Sequence, residues 1–156
     1  MRYIRNIFSV IALLSVLAVT GCQKDDKAGD ITGSWHLVSW AGDQPDADVY
    51  LSFDQDGTFD LYQRFDSPYY DHLDGTWTLT DGVLAGVYGD GSSWGGSYTV
   101  VMNQDTGEMT LTDIADASDI SVYTRASVPE DILSGDLGLK STAPGNSLIP
   151  VERRFL

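Results

Sequence analysis

Residues 75–91 read GTWTLTDGVLAGVYGDG. Trp77 and Leu79 alternate with Thr76, Thr78 and Thr80, the period-two pattern of a strand with one buried and one solvated face. Asp81-Gly82 interrupts the alternation, a second run follows from Val83 to Tyr88, and Gly89-Asp90-Gly91 ends it. An Asp-Gly pair between two such runs is a strong short-range signal for a tight hairpin, because a type I′ turn needs positive φ at both central positions.

The same unit recurs on either side. Upstream, the alternation predicts strands over Ser34 to Trp40, Val49 to Phe53 and Thr58 to Arg64, with Asp56-Gly57 closing the hairpin between the last two, and His72 to Thr80 as the fourth strand. Downstream, it predicts strands over Ser97 to Asn103, Glu108 to Thr112 and Ile120 to Arg125. No 3.6-residue periodicity of helical length competes. Eight short strands between residues 31 and 128, at about 12 residues per strand and turn, indicate an all-β sandwich or barrel. An eight-stranded antiparallel up-and-down barrel is the economical solution: it removes both exposed edges and leaves an interior that side chains fill or that holds one small ligand. After it, Pro129 to Leu133 predicts one helical turn. Residues 134–156 are rich in Gly, Ser and Pro without periodicity and are expected to form a flexible, disordered tail.

The N-terminus reads as an address. Arg2 and Arg5 precede Ile7 to Val19, an apolar run of 13 residues that is short for a membrane span and suits a signal peptide. Val19-Thr20-Gly21-Cys22 follows, with small residues before the single cysteine. This resembles the lipobox of bacterial lipoproteins, which implies cleavage after residue 21 and acylation of Cys22. Residues 22–30 are then an acylated tether, and the mature protein is anchored to the membrane without spanning it, its partner there being membrane lipid. Gln23-Lys24-Asp25-Asp26 resembles the export signal that sends some Gram-negative lipoproteins to the outer membrane and the cell surface; the periplasmic face is the other location it leaves open.

Composition narrows the function. At 42% hydrophobic and 11% aromatic the chain can bury a core, and its formal net charge is −14. Between residues 31 and 128 there are 15 Asp and Glu108 against only Arg64 and Arg125, a surface that repels phosphate backbones and excludes nucleic acid as a partner. A single cysteine excludes a disulfide framework and a cysteine-rich zinc site.

Gly33-Ser34-Trp35 opens the first strand and Tyr123-Thr124-Arg125 closes the last. This pairing resembles the lipocalin-like domain of small bacterial, Gram-negative lipoproteins. The resemblance implies that Gly33, Trp35 and Arg125 close one end of the barrel, the guanidinium stacking on the indole while its donors reach backbone carbonyls. It extends over residues 31–128, and against a ligand-carrying lipocalin the chain is short, with Phe53, Phe59, Trp77, Leu79 and Leu111 all directed inward.

No catalytic constellation emerges, so the chain is read as a noncatalytic protein. His36 and His72 lack the spacing of a metal site, nothing selects a Ser-His-Asp set, and most Asp residues fall in turns. Asp54-Gln55-Asp56-Gly57 with Asp60 lacks the remaining ligands of a calcium loop and reads as a hairpin turn. No cofactor and no metal are expected. The leading reading is a membrane-anchored lipocalin-like binding module for a small apolar or amphipathic ligand, with Trp40, Phe53, Phe59, Tyr69, Tyr70, Trp77 and Trp94 as candidate ligand-binding residues. The alternative is a surface glycan- or protein-interaction lipoprotein that uses Trp40, Tyr69, Tyr70 and Trp94 on its outside over a packed interior.

Overall fold

The structure, a computed structural model, describes residues 30–135, 140, 141, 155 and 156. The signal peptide, Cys22 and the tether up to residue 29 lie outside the described residues, as does most of the expected tail. Strands β1 (Gly33–Trp40), β2 (Asp48–Phe53), β3 (Thr58–Arg64), β4 (Asp71–Thr80), β5 (Val83–Tyr88), β6 (Tyr98–Asn103), β7 (Glu108–Asp113) and β8 (Ile120–Arg125) follow one another as an antiparallel meander. β1 pairs with both β2 and β8, and β3 pairs with β4, so the sheet closes on itself as the expected barrel. Every predicted strand is present, with ends within one residue of the sequence reading.

Turn chemistry sets the register. Asp81 and Gly82 have φ of 52° and 79°, the doubly positive pair that matches the twist of flanking strands. Asp56 serves the turn it was read as: its carboxylate accepts from the Thr58 amide at 3.0 Å and the Thr58 hydroxyl at 2.6 Å. In β1 the register to β8 shifts between Leu37 and Ser39, a bulge that tightens curvature where the barrel bends.

Inward-facing residues of all eight strands form one core. Trp35, Leu37, Leu51, Phe53, Phe59, Leu61, Met109, Leu111 and Tyr123 are all fully buried within it. One seam is weak: β5 and β6 share only Val83↔Thr99 and Leu84↔Tyr98. There the 92–96 loop folds back, with the Trp94 amide donating to the Gly86 carbonyl at 3.0 Å and Ser93 bridging Val87. The Trp94 ring fills the space a side chain at 86 would need, since a Cβ on Gly86 would lie 2.3 Å from it.

Outside the barrel, α1 (Glu130–Leu133) is the expected helical turn, following Pro129. Ile132 and Val128 pack on Tyr62 and Tyr70 in a second apolar cluster. A two-residue strand, β9 (Lys140–Ser141), runs parallel to β4 at Asp71 and His72, above the point where β5 ends at Gly75↔Tyr88. The tail differs from its expected disorder at Lys140–Ser141 and at its last two residues. Leu156 is 4% exposed within the main core, and the Phe155 amide bonds to Gln63. Two apolar side chains suffice for this packing, which a search for periodicity does not detect.

Candidate functional site

The barrel has two unlike ends. At one, Gly33, Trp35 and Arg125 make a floor. Trp35↔Arg125 are cross-strand partners, and the guanidinium carbon sits 4.0 Å from the indole centroid, a cation–π stack. Arg125 donates to the backbone carbonyls of Thr32 and Asp30, and the Trp35 indole donates to the Ile31 carbonyl at 2.8 Å. Gly33 has φ of 107°, and a Cβ there would lie 2.4 Å from the guanidinium. Glycine is required on both counts.

Above the floor, Phe53 and Phe59 are 1% exposed and are core. Phe53 meets Trp77 edge-on at 5.2 Å, and Phe59 meets Trp94 at 5.0 Å and Tyr88 at 5.8 Å. Trp77 is half-buried and donates to the Thr58 carbonyl at 2.8 Å. Trp94 is a loop residue, yet it is 5% exposed and points into the core. Phe53 and Phe59 fill the barrel interior, whereas Trp77 and Trp94 pack against that core and also line a cleft on the barrel's flank.

Of the remaining candidates, Trp40 stands at the open end with its ring against the residues that fill it. Its indole donates to Asp119 at 2.8 Å, and its ring meets Phe155 edge-on at 5.3 Å. Tyr69 is exposed. Tyr70 is buried on the outer face, where its hydroxyl donates to Asp48 and Arg64 lies 4.7 Å above its ring. Trp40, Tyr69, Tyr70 and Trp94 therefore do not come together as one external platform.

Asp48 also accepts from His36 Nε2 and from Arg64, each at 2.9 Å. Partial burial pushes its carboxyl up, but the hydrogen bonds from Tyr70 and His36 and the nearby positive charge win and hold it below the usual carboxylate range. His36, Tyr50, Tyr62 and His72 face one another across four adjacent strands. His36 stacks on Tyr50 at 4.4 Å, Tyr62 on His72 at 4.5 Å, and His72 bonds to Asp60 at 2.6 Å. This ladder ties strands together, and among the described residues no group of three or more His, Cys, Asp or Glu could hold a metal. On the flank, a cleft of about 420 Å³ runs along β4 and β5 beside the 93–97 loop and brings together Trp77 and Trp94, with Thr76, Thr78, Val87 and Ser93 around them.

At the open end, polar groups converge inside an apolar wall. Gln63, near the end of β3, is fully buried and its Oε1 accepts from the Phe155 amide at 2.9 Å. Tyr88, at the end of β5, donates to the Leu156 carbonyl at 2.5 Å. Tyr123, on β8, is fully buried with its ring edge-on to Phe155 at 6.4 Å. Burial, with Tyr98 close by, holds its hydroxyl well above the ordinary tyrosine range; Ser121 pulls weakly the other way without completing a hydrogen bond. Tyr98 is pushed up too, by burial first and then by Asp113 and Asp119. Neither the Tyr123 hydroxyl nor the Trp94 indole N–H has a hydrogen-bond partner among the described residues.

Residues 31–111 match the lipocalin-like domain, over half of the 156-residue chain. The chain belongs to the lipocalin-like domain family. No curated protein matches it. The matched span runs from the first strand into β7. In this lipocalin-like barrel, Arg125 of the floor and Tyr123, Phe155 and Leu156 of the open end lie beyond that span.

Gln63, Tyr88, Tyr98, Tyr123, Phe155 and Leu156 are not among the residues that the sequence marks as binding candidates. For four of them a signal existed. Gln63 continues the inward series Phe59, Leu61, Gln63; Tyr88 continues Leu84, Gly86, Tyr88; Tyr98 and Tyr123 also fall at inward positions, paired with Leu84 and Met109. A polar atom on an inward face marks either a satisfied network or a site. Phe155 and Leu156 carry no signal beyond being apolar.

Proposed function

We propose that this lipocalin-like protein is a noncatalytic binding module, tethered to the outer membrane through acylated Cys22, that takes a small apolar or amphipathic ligand at the open end of its barrel. The observation that carries the binding reading is the convergence of Gln63, Tyr88 and the unpartnered, fully buried Tyr123 hydroxyl among the rings of Trp40 and Phe155. A mainly apolar concavity with a few oriented polar groups is the usual form of a ligand site. Because Phe53 and Phe59 fill the barrel below, the ligand seats at the mouth. The anchor is supported by the apolar run ending at Val19 and by the lone cysteine after Thr20-Gly21. The 23 acidic residues keep the surface soluble beside the bilayer and leave the acyl chains as the source of attachment.

Two measurements on the full chain expressed in a Gram-negative host test this. Mass analysis of the N-terminal peptide is expected to show acylated Cys22, lost together with membrane partitioning in Cys22→Ser; an unmodified Cys22 would overturn the anchor. Titration with the neutral probe N-phenyl-1-naphthylamine is expected to saturate at one site and to weaken in Tyr123→Trp, which fills the mouth. Absence of saturable binding would overturn small-ligand binding.

A further inference from the structure

The residues at the mouth are matched to a peptide backbone. Gln63 offers a carbonyl oxygen to the Phe155 N–H, and Tyr88 offers a hydroxyl to the Leu156 backbone oxygen, which in a peptide ending at this leucine is a carboxylate oxygen. A hydrocarbon ligand satisfies neither. A buried amide oxygen is costly unless bonded, and on fully buried Gln63 it accepts from the Phe155 N–H. Phe155 and Leu156 supply the matching chemistry: one N–H, one backbone oxygen, an aromatic ring against Trp40 and Tyr123, and an aliphatic side chain inside the core.

Charge adds to the match. The four connections at this end, 41–47, 65–70, 89–97 and 114–119, hold six Asp and no Lys or Arg, whereas Glu152 and the two cations Arg153-Arg154 precede Phe155 in the sequence, a net positive lead. Opposite charge favours bringing such a segment to this end, and burial of its apolar pair holds it. Being on the same chain, it acts at an effective concentration in the millimolar range, so even a weak intrinsic affinity keeps the site filled.

Resting on the binding reading above, we propose that the open end is a receptor for a short peptide of basic-then-apolar sequence, and that the chain's own Phe155-Leu156 is its resident occupant, which any ligand must displace. An occupant present nine-tenths of the time lowers a competitor's apparent affinity about tenfold.

The test compares the full chain with a variant stopped after Arg154. The synthetic hexapeptide Val-Glu-Arg-Arg-Phe-Leu is expected to bind the shortened variant at least about tenfold more tightly than the full chain. It should weaken with added NaCl, weaken with Tyr88→Phe, and fail when its last two residues are Ala-Ala. The probe N-phenyl-1-naphthylamine should likewise bind the shortened variant more tightly and be displaced by the hexapeptide. Probe binding that is equal in both forms and indifferent to the peptide overturns the occupant while leaving small-ligand binding standing. Peptide binding without probe binding supports the receptor and overturns the small-ligand reading. Loss of both overturns both. Should the shortened variant not fold, hydrogen exchange at the Phe155 amide of the full chain decides the matter: protection of at least about tenfold is expected, as nine-tenths occupancy requires, and free-peptide rates would overturn the occupant.

Discussion

Gly33 and Arg125 lie 92 positions apart in the sequence, yet the glycine exists for the arginine. Its φ of 107° is strained for any L side chain, and a Cβ would occupy the place of the guanidinium. Gly82 offers a control, since its φ is 79° but a Cβ there meets nothing within 4 Å. Gly82→Ala is expected to cost the strain alone, about 1 kcal/mol, and Gly33→Ala about 2–3 kcal/mol because the cation–π stack and its carbonyl bonds are displaced as well. Urea midpoints of the two variants check this. Equal costs would mean that the arginine contributes nothing by sitting on Trp35.

Individual strands owe their cohesion to side chains that reach across them. Asp48 of β2 bonds His36 of β1, Arg64 of β3 and Tyr70 of the following loop, so one carboxylate joins three strands and a connection. Its folded-state pKa is depressed below the unfolded value of about 3.9. Its contribution to stability is therefore full above that value and is lost as pH falls through the folded pKa. Asp48→Asn is expected to be less stable than the parent at pH 7, with the gap closing below about pH 4. Denaturation midpoints measured from pH 7 to pH 2 test the sign; a gap that widens in acid would contradict the assignment. Asp30, Asp56 and Asp116, held low by hydrogen bonds from Thr32, Thr58 and Ser118, remain in both proteins and cancel in the comparison.

For the molecule as a whole, the dominant electrostatic fact is a barrel with 15 Asp and one Glu but two Arg between residues 31 and 128. Both arginines are already committed, Arg64 to Asp48 and Arg125 to the floor, so the remaining carboxylates repel one another. Folding brings them closer together, and screening relieves that repulsion. Raising NaCl from about 0.02 to about 0.5 M shortens the screening length to a few ångströms and is expected to raise the urea midpoint. A midpoint that falls with salt would show that attractive ion pairs outweigh the repulsion. The same excess charge opposes association with anionic headgroups, which leaves attachment to Cys22 in the proposed function.

What the sequence determined by itself is local. Alternation of Trp77 and Leu79 with threonines, and Asp-Gly pairs whose turn geometry is intrinsic, set the eight strands, their order and the closed barrel. The Gly33, Trp35 and Arg125 floor was legible because it resembles a known pairing. Tertiary structure decided everything that depends on two distant segments meeting. Trp94 and Tyr70 look like loop aromatics free to bind a ligand, but Gly86 leaves a space that one ring fills, and Val128 and Ile132 cover the other. Gln63 looks like an error of alternation until the Phe155 amide meets it. Phe155 and Leu156 look like the end of an unpatterned tail until the barrel supplies a buried acceptor, a donor and apolar rings. Periodicity reports the face a residue turns toward within its own element; the partner awaiting it there is set by chain closure over long sequence distances, which no local pattern encodes.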